Sequence, residues 1–571
     1  MSKTSFFNKA VFKRNLRGFW PLWAVYLGVM LVLIPVPIHS NLVHGWNGSA
    51  VSAAKSYCST ALTISLIVGA FFAIFATMAV FSYMYTSRSA NMTASLPVKR
   101  EALYATNFIT VIFITFAVHF ITAAAMVLSI TLVSAEYLFI IPIIQWLILG
   151  FLMTTFFVCL SFFCATLTGS LLILPCMYGV INFSVILIHQ VLSEIFGVFL
   201  YGYSGNSMPE IVLWLTPSVK LMNIATRTPR MAEGGSSLSF GAIPTIAIYI
   251  IIGILFLTAG LFIHKKRRTE SASDIIAVKP LKPVSKFFFA AIGSLTLGIL
   301  IYSLLSFSEE NAVGFIISMI IGGFVGYFGS EMLVTKSFKV WHKLKGFAVY
   351  SLVVILFILG LSFDIAGFET SVPKASSIGS ASVSINGENI HGDDAQTTQT
   401  AIELQEYIIE HRDDEIDYNL PTASVNISYQ LKSGAFVQRY YYCNIPEFII
   451  DYYNAPELCY ERICISKEFT IKNLDIATIE FYDGNEWQVI QITDDQFYEL
   501  YNRLISDIGT SSVGKVDLGY TSYVEDAVML SAEFKISEYS GYYYYYERIP
   551  VDAKNCLEYL DYLGIEYSPV Y

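Results

Sequence analysis

Apolar residues along this chain come in long, nearly unbroken runs up to about residue 367, and in short alternating ones thereafter. Nine stretches, roughly 19–38, 61–85, 106–133, 137–164, 170–190, 243–263, 287–307, 313–333 and 347–366, are long and apolar enough to be read as spanning helices. A helix of about 20 residues crosses the hydrocarbon core of a bilayer and satisfies its own backbone there. The apolar stretch 170–202 exceeds one ordinary span. It is expected to form a single span followed by a half-buried or re-entrant piece at about 191–202. Counting it as two spans would put the basic run His264–Arg268 on the wrong side.

Beyond 367 the periodicity changes. Ser382–Gly387 is followed by Thr400-x-x-Glu403, then Val425–Tyr429 and Val437–Tyr442, ending at Ile445-Pro446. The order recurs as Ala477–Gly484, Thr493-x-x-Gln496, Leu530–Ile536 and Tyr542–Tyr546, ending at Ile549-Pro550. Each Thr-x-x-Glu/Gln pair is a capping-box signal for a helix start, and Phe497, Leu500, Tyr501, Leu504 and Ile508 fall on one helical face. The alternating β-branched and Tyr-rich runs predict strands joined by hairpins. A duplicated β-α-β-β unit follows, with repeats at about 380–450 and 475–555, giving an α+β domain.

Charge separates the same two parts. Residues 1–367 hold 23 Lys+Arg against 11 Asp+Glu, whereas 368–571 hold 12 against 34. The composition as a whole is 14% charged with a mean hydropathy of +0.56, against about 25% charged residues in soluble domains. The predicted fold is therefore an α-helical polytopic membrane protein of about nine spans with a C-terminal extracytoplasmic α+β domain. Its parts are a cytoplasmic amphipathic elbow (1–18), six spans (19–268), a basic linker (269–286), three further spans (287–367) and the acidic domain (368–571). Lys and Arg mark the cytoplasmic side. They cluster before span one, at Arg88, Lys99 and Arg100, at Lys265–Arg268, and at Lys336, Lys339, Lys343 and Lys345. With nine spans, the N-terminus is inside and the C-terminal domain outside. Residues 1–18 are too charged for a removable signal peptide, so the first span is expected to be retained.

Chemistry within the spans is sparse. His119, His189 and Glu194, with Glu331 and Asp364 near span ends, form no spaced acidic pair, so proton or ion coupling is disfavoured. Gly509–Lys515 matches G-x-x-x-x-G-K, but Val516 replaces the hydroxyl residue that would hold Mg²⁺. No ATPase or other catalytic constellation is read, and no bound cofactor or metal is expected. Cys443, Cys459, Cys464 and Cys556 lack metal spacing; they allow up to two disulfides or stay as free buried thiols. Small residues along Gly322–Gly329 allow close helix contact, read as intramolecular before a dimer seam. Tyr440, Tyr441, Tyr442, Tyr543 and Tyr545 are candidates for an outer aromatic surface, which with the acidic charge suits a cationic amphiphile. Nucleic-acid binding is disfavoured by the same charge.

Two features face the cytoplasm on this topology. Phe6, Phe7, Val11 and Phe12 alternate with basic residues, among them Lys13 and Arg14, as in an interfacial helix. Ser95-Leu96-Pro97-Val98-Lys99-Arg100-Glu101 predicts a protruding turn, with Ser95 capping a short helix that Pro97 opens. With the six spans ending in a basic segment, these features make residues 1–268 similar to the permease subunits of ABC-2 type transporters of Gram-positive bacteria. The three extra spans and outer domain look like the extended permeases of acetoin-locus and peptide-antibiotic-response operons. The resemblance implies a membrane-bound exporter of peptide-like or amphiphilic compounds, working as a pair of permease subunits. ATP would be used by separately encoded cytoplasmic ATPase subunits, which dock on a coupling turn that here falls on Leu96, Pro97, Lys99 and Arg100. The rival reading is a membrane-anchored sensor whose outer domain detects an extracellular ligand.

Overall fold

The computed structural model describes residues 6–44, 50–205, 208–227, 242–267, 274–277, 281–305, 312–392, 395–417, 420–463, 474–482, 486–515, 526–537 and 541–565. The chain divides into two compact units, Met1–Ile195 with Met208–Ser362, and Phe196–Ser207 with Phe363–Tyr571.

In the first unit an opening helix α1 (Lys9–Gly18) leads to α2 (Trp20–Leu33) and α3 (Pro35–Val43). The last two form one path of spanning length, broken where Pro35 and Pro37 withhold backbone donors. There follow α4 (Ala50–Phe81), α5 (Ser87–Ala94), α6 (Arg100–Thr131), α7 (Ile140–Leu167), α8 (Ile173–Phe199), the short α9 (Glu210–Leu215) and α10 (Pro217–Arg227), and α11 (Ala242–Lys266). The remaining helices are α12 (Leu281–Gly293), α13 (Ile299–Leu304), α14 (Ala312–Thr335) and α15 (Leu344–Ser362). Among the described residues, nine helical stretches are long and apolar enough to cross a membrane, and each overlaps an expected span.

Helices α2–α4 and α6–α11 share one core, in which Trp146, Phe156, Phe157 and Phe162 of α7 are fully buried. Helices α12–α15 build a smaller core of their own around Ala290, Tyr327, Phe328 and Phe347. Its seam is glycine against glycine. A Cβ on Gly322 would lie 2.4 Å from the Gly293 carbonyl oxygen, and one on Gly326 would overlap the Phe289 carbonyl. A turn of π-helix at Ser294–Gly298 joins α12 to α13 there, pinned by the Ser294 hydroxyl on the Met319 carbonyl (2.7 Å). The small-residue stripe is thus an intramolecular contact, as expected, except that a Cβ on Gly329 would meet nothing.

The piece at 191–202, expected to be half-buried or re-entrant, is mostly half-buried and is not separate from the preceding helix. Helix α8 continues to Phe199, and Tyr203 pairs with a strand of the second unit. The α9–α10 hairpin packs against α8 and α11. The Ser218 hydroxyl donates to Asn182 Oδ1 (2.9 Å), and Tyr249 Oη of α11 donates to the Trp214 carbonyl (2.8 Å). At 1.5 Å per residue, Asn182 lies about 20 Å along α8 from Ile195. The hairpin was missed because α10 is short and amphipathic instead of uniformly apolar.

The second unit holds two four-stranded antiparallel sheets of the same order. The first is β1 (Ile378–Ile385), β2 (Glu388–Gly392), α16 (Ala395–Glu410), β3 (Thr422–Leu431), β4 (Phe436–Asn444), α17 (Glu447–Tyr453) and α18 (Pro456–Ile463), with strands arranged β2-β1-β3-β4. The second is β5 (Leu474–Tyr482), β6 (Trp487–Gln491), α19 (Asp494–Asp507), β7 (Asp526–Ser537), β8 (Gly541–Pro550) and α20 (Lys554–Tyr562), arranged β6-β5-β7-β8. The repeat is therefore β-β-α-β-β-α, one hairpin strand and one closing helix longer than expected. Asn386 and Gly387, at φ +49° and +97°, make the first tight hairpin turn; the matching Asp483 and Gly484 lie outside the described residues. Helix α19 has its Thr493–Gln496 capping box. Helix α16 starts at Ala395, so Thr400 and Glu403 lie inside it and cap nothing.

Strand alternation sorts the tyrosines. Tyr441 and Tyr545 point into the two cores, at 1% and 5% exposure, and so are not outer-surface residues, whereas Tyr440 and Tyr442 are 44% and 46% exposed. The Tyr543 side chain lies outside the described set. Cys443, Cys459 and Cys556 are unpaired, and Cys464 lies outside the described residues. Burial raises all three thiols, that of Cys443 to about 12, leaving little thiolate.

Gly326→Val should break the glycine seam, since overpacking a tight contact costs about 1–3 kcal/mol. Thermal unfolding in detergent should show α12–α15 destabilised, while Gly329→Val leaves the melting temperature unchanged.

Candidate functional site

Helix α6 has 32 residues, about 48 Å at 1.5 Å per residue, against a hydrocarbon core of about 30 Å. It therefore overhangs. Helix α1 crosses it about two turns from its start. The Asn8 backbone N–H donates to Thr106 Oγ1 (3.0 Å), and Asn15, fully buried, donates through Nδ2 to Asn107 Oδ1 (2.8 Å). Asn107 passes the bond on to the Val80 carbonyl of α4 (3.1 Å). The Asn8 side chain caps α1 by accepting from Ala10 and Val11 N–H. Val11 is buried, Phe12 is half-buried against Phe113 of α6, and Phe6, Phe7, Lys13 and Arg14 are exposed. The segment expected to be an amphipathic elbow forms a helix with one buried and one exposed face, and that helix starts at Lys9, after the two leading phenylalanines.

The overhanging start of α6 carries the other predicted residues. The short helix in this segment is α5, which ends before Pro97 instead of starting there. Ser95 closes it as the C-cap, donating from Oγ to the Met92 carbonyl (2.8 Å). Met92 and Leu96 stand out at 72% and 42% exposure beside an exposed Pro97. Lys99 is the N-cap position of α6. Arg100 turns back, its Nη1 donating to the Arg267 carbonyl at the end of α11 (2.5 Å).

Arg267 in turn donates to the Ala165 and Thr168 carbonyls (3.1 and 2.8 Å), the last acceptors of α7. Burial holds its pKa below the usual arginine value. Residues 274–277 of the linker run beside this end of α7. Gly169 N–H donates to the Asp274 carbonyl and Ala277 N–H to the Leu167 carbonyl, both at 2.8 Å. Lys265–Glu101 (2.6 Å) and Lys336–Asp274 (3.3 Å) complete the network. All four basic segments read from the sequence thus converge on one end of the unit. Met92 and Leu96 are exposed apolar side chains beside this polar network, as are Phe338 and Trp341 in the turn after α14. The sequence signal for Met92 was present but unused, because the turn was read from Pro97 onward.

Further along α4 and α8 lies an apolar cavity of about 520 Å³. It is lined by Leu66, Phe71 and Ile74 of α4, Pro175, Tyr178 and Phe183 of α8, Phe157 of α7, and Val219 and Met222 of α10. Its volume falls within the roughly 300–1,000 Å³ range of ligand pockets. Two of the polar groups near it are engaged, and Asn223 also lines it. Tyr178 Oη donates to the Ala70 carbonyl (3.3 Å), and Ser218 is tied to Asn182. Lys220 is held by Glu210 (2.7 Å) over the Trp214 ring.

The intramembrane candidates are separated. His119 is fully buried against Trp146 and Tyr26, with Nδ1 on the Thr115 carbonyl (2.9 Å). Glu194 is exposed and accepts from Gln190. Glu331 faces Lys286 at 4.0 Å, and Asp364 caps the backbone of Phe368 and Glu369. Of the loop resembling a nucleotide-binding motif, 509–515 follows α19. Its Ser512 N–H and hydroxyl are taken by the Asp552 carboxylate (2.7–3.0 Å). No protein-family model matches this chain, and no curated protein matches it.

Asn15→Ala strips a buried partner from Asn107, a loss of about 1–3 kcal/mol. The melting temperature in detergent should fall, and the α1 amides should exchange with solvent faster than those of α6.

Proposed function

We propose that this chain is the transmembrane permease subunit of an ATP-driven transporter, exporting peptide-like or amphiphilic compounds. The observation that carries this reading is the braced turn at the basic end. Exposed apolar side chains beside a polar network are a protein-contact signature. Hydrogen bonds from Arg100 and Arg267 tie the base of the turn to the ends of α11 and α7. Force applied to the turn would reach three helices at once. The excess of Lys and Arg supports a cytoplasmic position for this end, where ATP is available, and with nine spans the C-terminal domain would then be extracellular on a bacterial cell membrane.

Four helices line an apolar pocket with no charged residue in its lining, so its cargo would be bound through apolar surface and not through charge. A second permease subunit would complete the pathway, the bilayer would cover the exposed apolar helix faces, and ATP would be consumed by the cytoplasmic partner. Nucleic acid has no place in this reading.

The test is affinity purification of the tagged full chain from native membranes, beside a Met92→Asp/Leu96→Asp variant. An ATPase subunit should co-purify with the parent and fall at least ten-fold in the variant, with the variant's melting temperature unchanged. Failure to recover any ATPase with the parent in gentle detergent would overturn the reading.

A further inference from the structure

Arg439 lies on the core-facing side of β4, at 4% exposure, where its neighbours in register are apolar. It has no carboxylate partner among the ion pairs of the described residues. Its Nη2 donates to the carbonyls of Phe368 (3.1 Å) and Ser371 (3.4 Å), and its guanidinium lies 3.7 Å from the centre of the Phe368 ring. A buried cation kept by carbonyl dipoles and a ring face is costly to desolvate. Its presence asks for a reason beyond filling a core.

The repeat supplies an internal control. Counting back from Ile445-Pro446 and Ile549-Pro550, the second copy has Tyr543 where the first has Arg439. The same strand order is therefore reached without the arginine. What the first copy has in addition is two incoming chain segments, both meeting Arg439. One is 364–371, which follows α15 and reaches the arginine through Phe368 and Ser371. The other is 196–205, which follows the body of α8. Tyr203 pairs with Arg439 as an antiparallel bridge, and Tyr440 N–H donates to the Gly202 carbonyl (3.2 Å).

The two segments are also bound to each other. Tyr201 N–H donates to Glu369 Oε1 (3.0 Å), Glu369 is paired with Arg412, and the Tyr203 ring meets that of Phe368. Gly202 sits at φ +75°, and a Cβ there would lie 2.3 Å from the Tyr441 ring. Only glycine fits that conformation and that approach.

We propose that Arg439 is a tether, and that the first repeat of the C-terminal domain is a brace holding the exits of the fifth and ninth spanning helices together. Residues 201–203 act as an added edge strand of β4, so α8 cannot shift along its axis or turn without pulling on the sheet. This inference stands apart from the transport reading, since it needs neither a cargo nor an ATPase.

Hydrogen exchange of the full chain in lipid nanodiscs tests it. Arg439→Tyr installs the second copy's own residue. It should speed exchange at least ten-fold in 199–205, 366–372 and the last two turns of α8, with β5–β8 and α19 unchanged. Gly202→Ala leaves every charge in place and displaces the strand from Tyr441. It should free 199–205 and the end of α8 while 366–372 stays protected. The proposal is overturned if both variants leave the end of α8 exchanging as in the parent. It is equally overturned if both lose protection evenly across the first repeat, since Arg439 would then be a core residue only.

Discussion

Backbone amides that enter hydrocarbon must find their partners within their own helix, and the first unit is organised around that constraint. Hydroxyls on the spanning helices follow the same rule. Ser65, Thr106, Thr110 and Thr115 each donate to the carbonyl four residues earlier, and only as acceptors do Ser65 and Thr106 reach a neighbour, from Trp146 Nε1 and the Asn8 N–H. Helix-to-helix attachment then falls to shape, as in the glycine seam of α12 and α14, and to a few amides placed where two helices must keep one register. The Asn15–Asn107–Val80 chain is the clearest of these, fixing α1 across α6 and α4.

At the helix ends the rule relaxes, because the last carbonyls of α7 have no intrahelical donors. Arg267, Thr168 and the 274–277 segment satisfy or surround them. One polar layer thereby joins the ends of α6, α7 and α11 to the linker and the turn after α14. Met92 and Leu96 stand exposed beside that layer.

The C-terminal domain shows the opposite economy. Each repeat buries one face of a four-stranded sheet beneath its helices, and the two cores have comparable aromatic content. Duplication makes their differences informative. The first copy accepts extra chain along β4 and carries a buried arginine to hold it, and among the described residues the second shows neither with the same strand order.

The sequence by itself determined the nine spans, the division near residue 367, the four basic segments, the opening amphipathic helix and the duplicated domain. Each of these is written in local hydrophobicity, charge or periodicity, which depend on residue type and spacing alone. It also led to four misreadings, each with a local cause. The Thr400–Glu403 pair mimics a cap although neighbouring residues already favour helix. Tyr441 and Tyr545 look like surface tyrosines until strand register assigns their faces. Ser95 and Pro97 suggest a helix start, although the helix precedes them. The apolar tail of α8 resembles a separate piece. Only the tertiary structure decided the rest. Whether Arg100 is free, where the α9–α10 hairpin packs, which helices line the cavity and what Arg439 holds depend on residues tens to hundreds of positions apart. Such meetings are set by helix packing and strand pairing, and no periodicity records them.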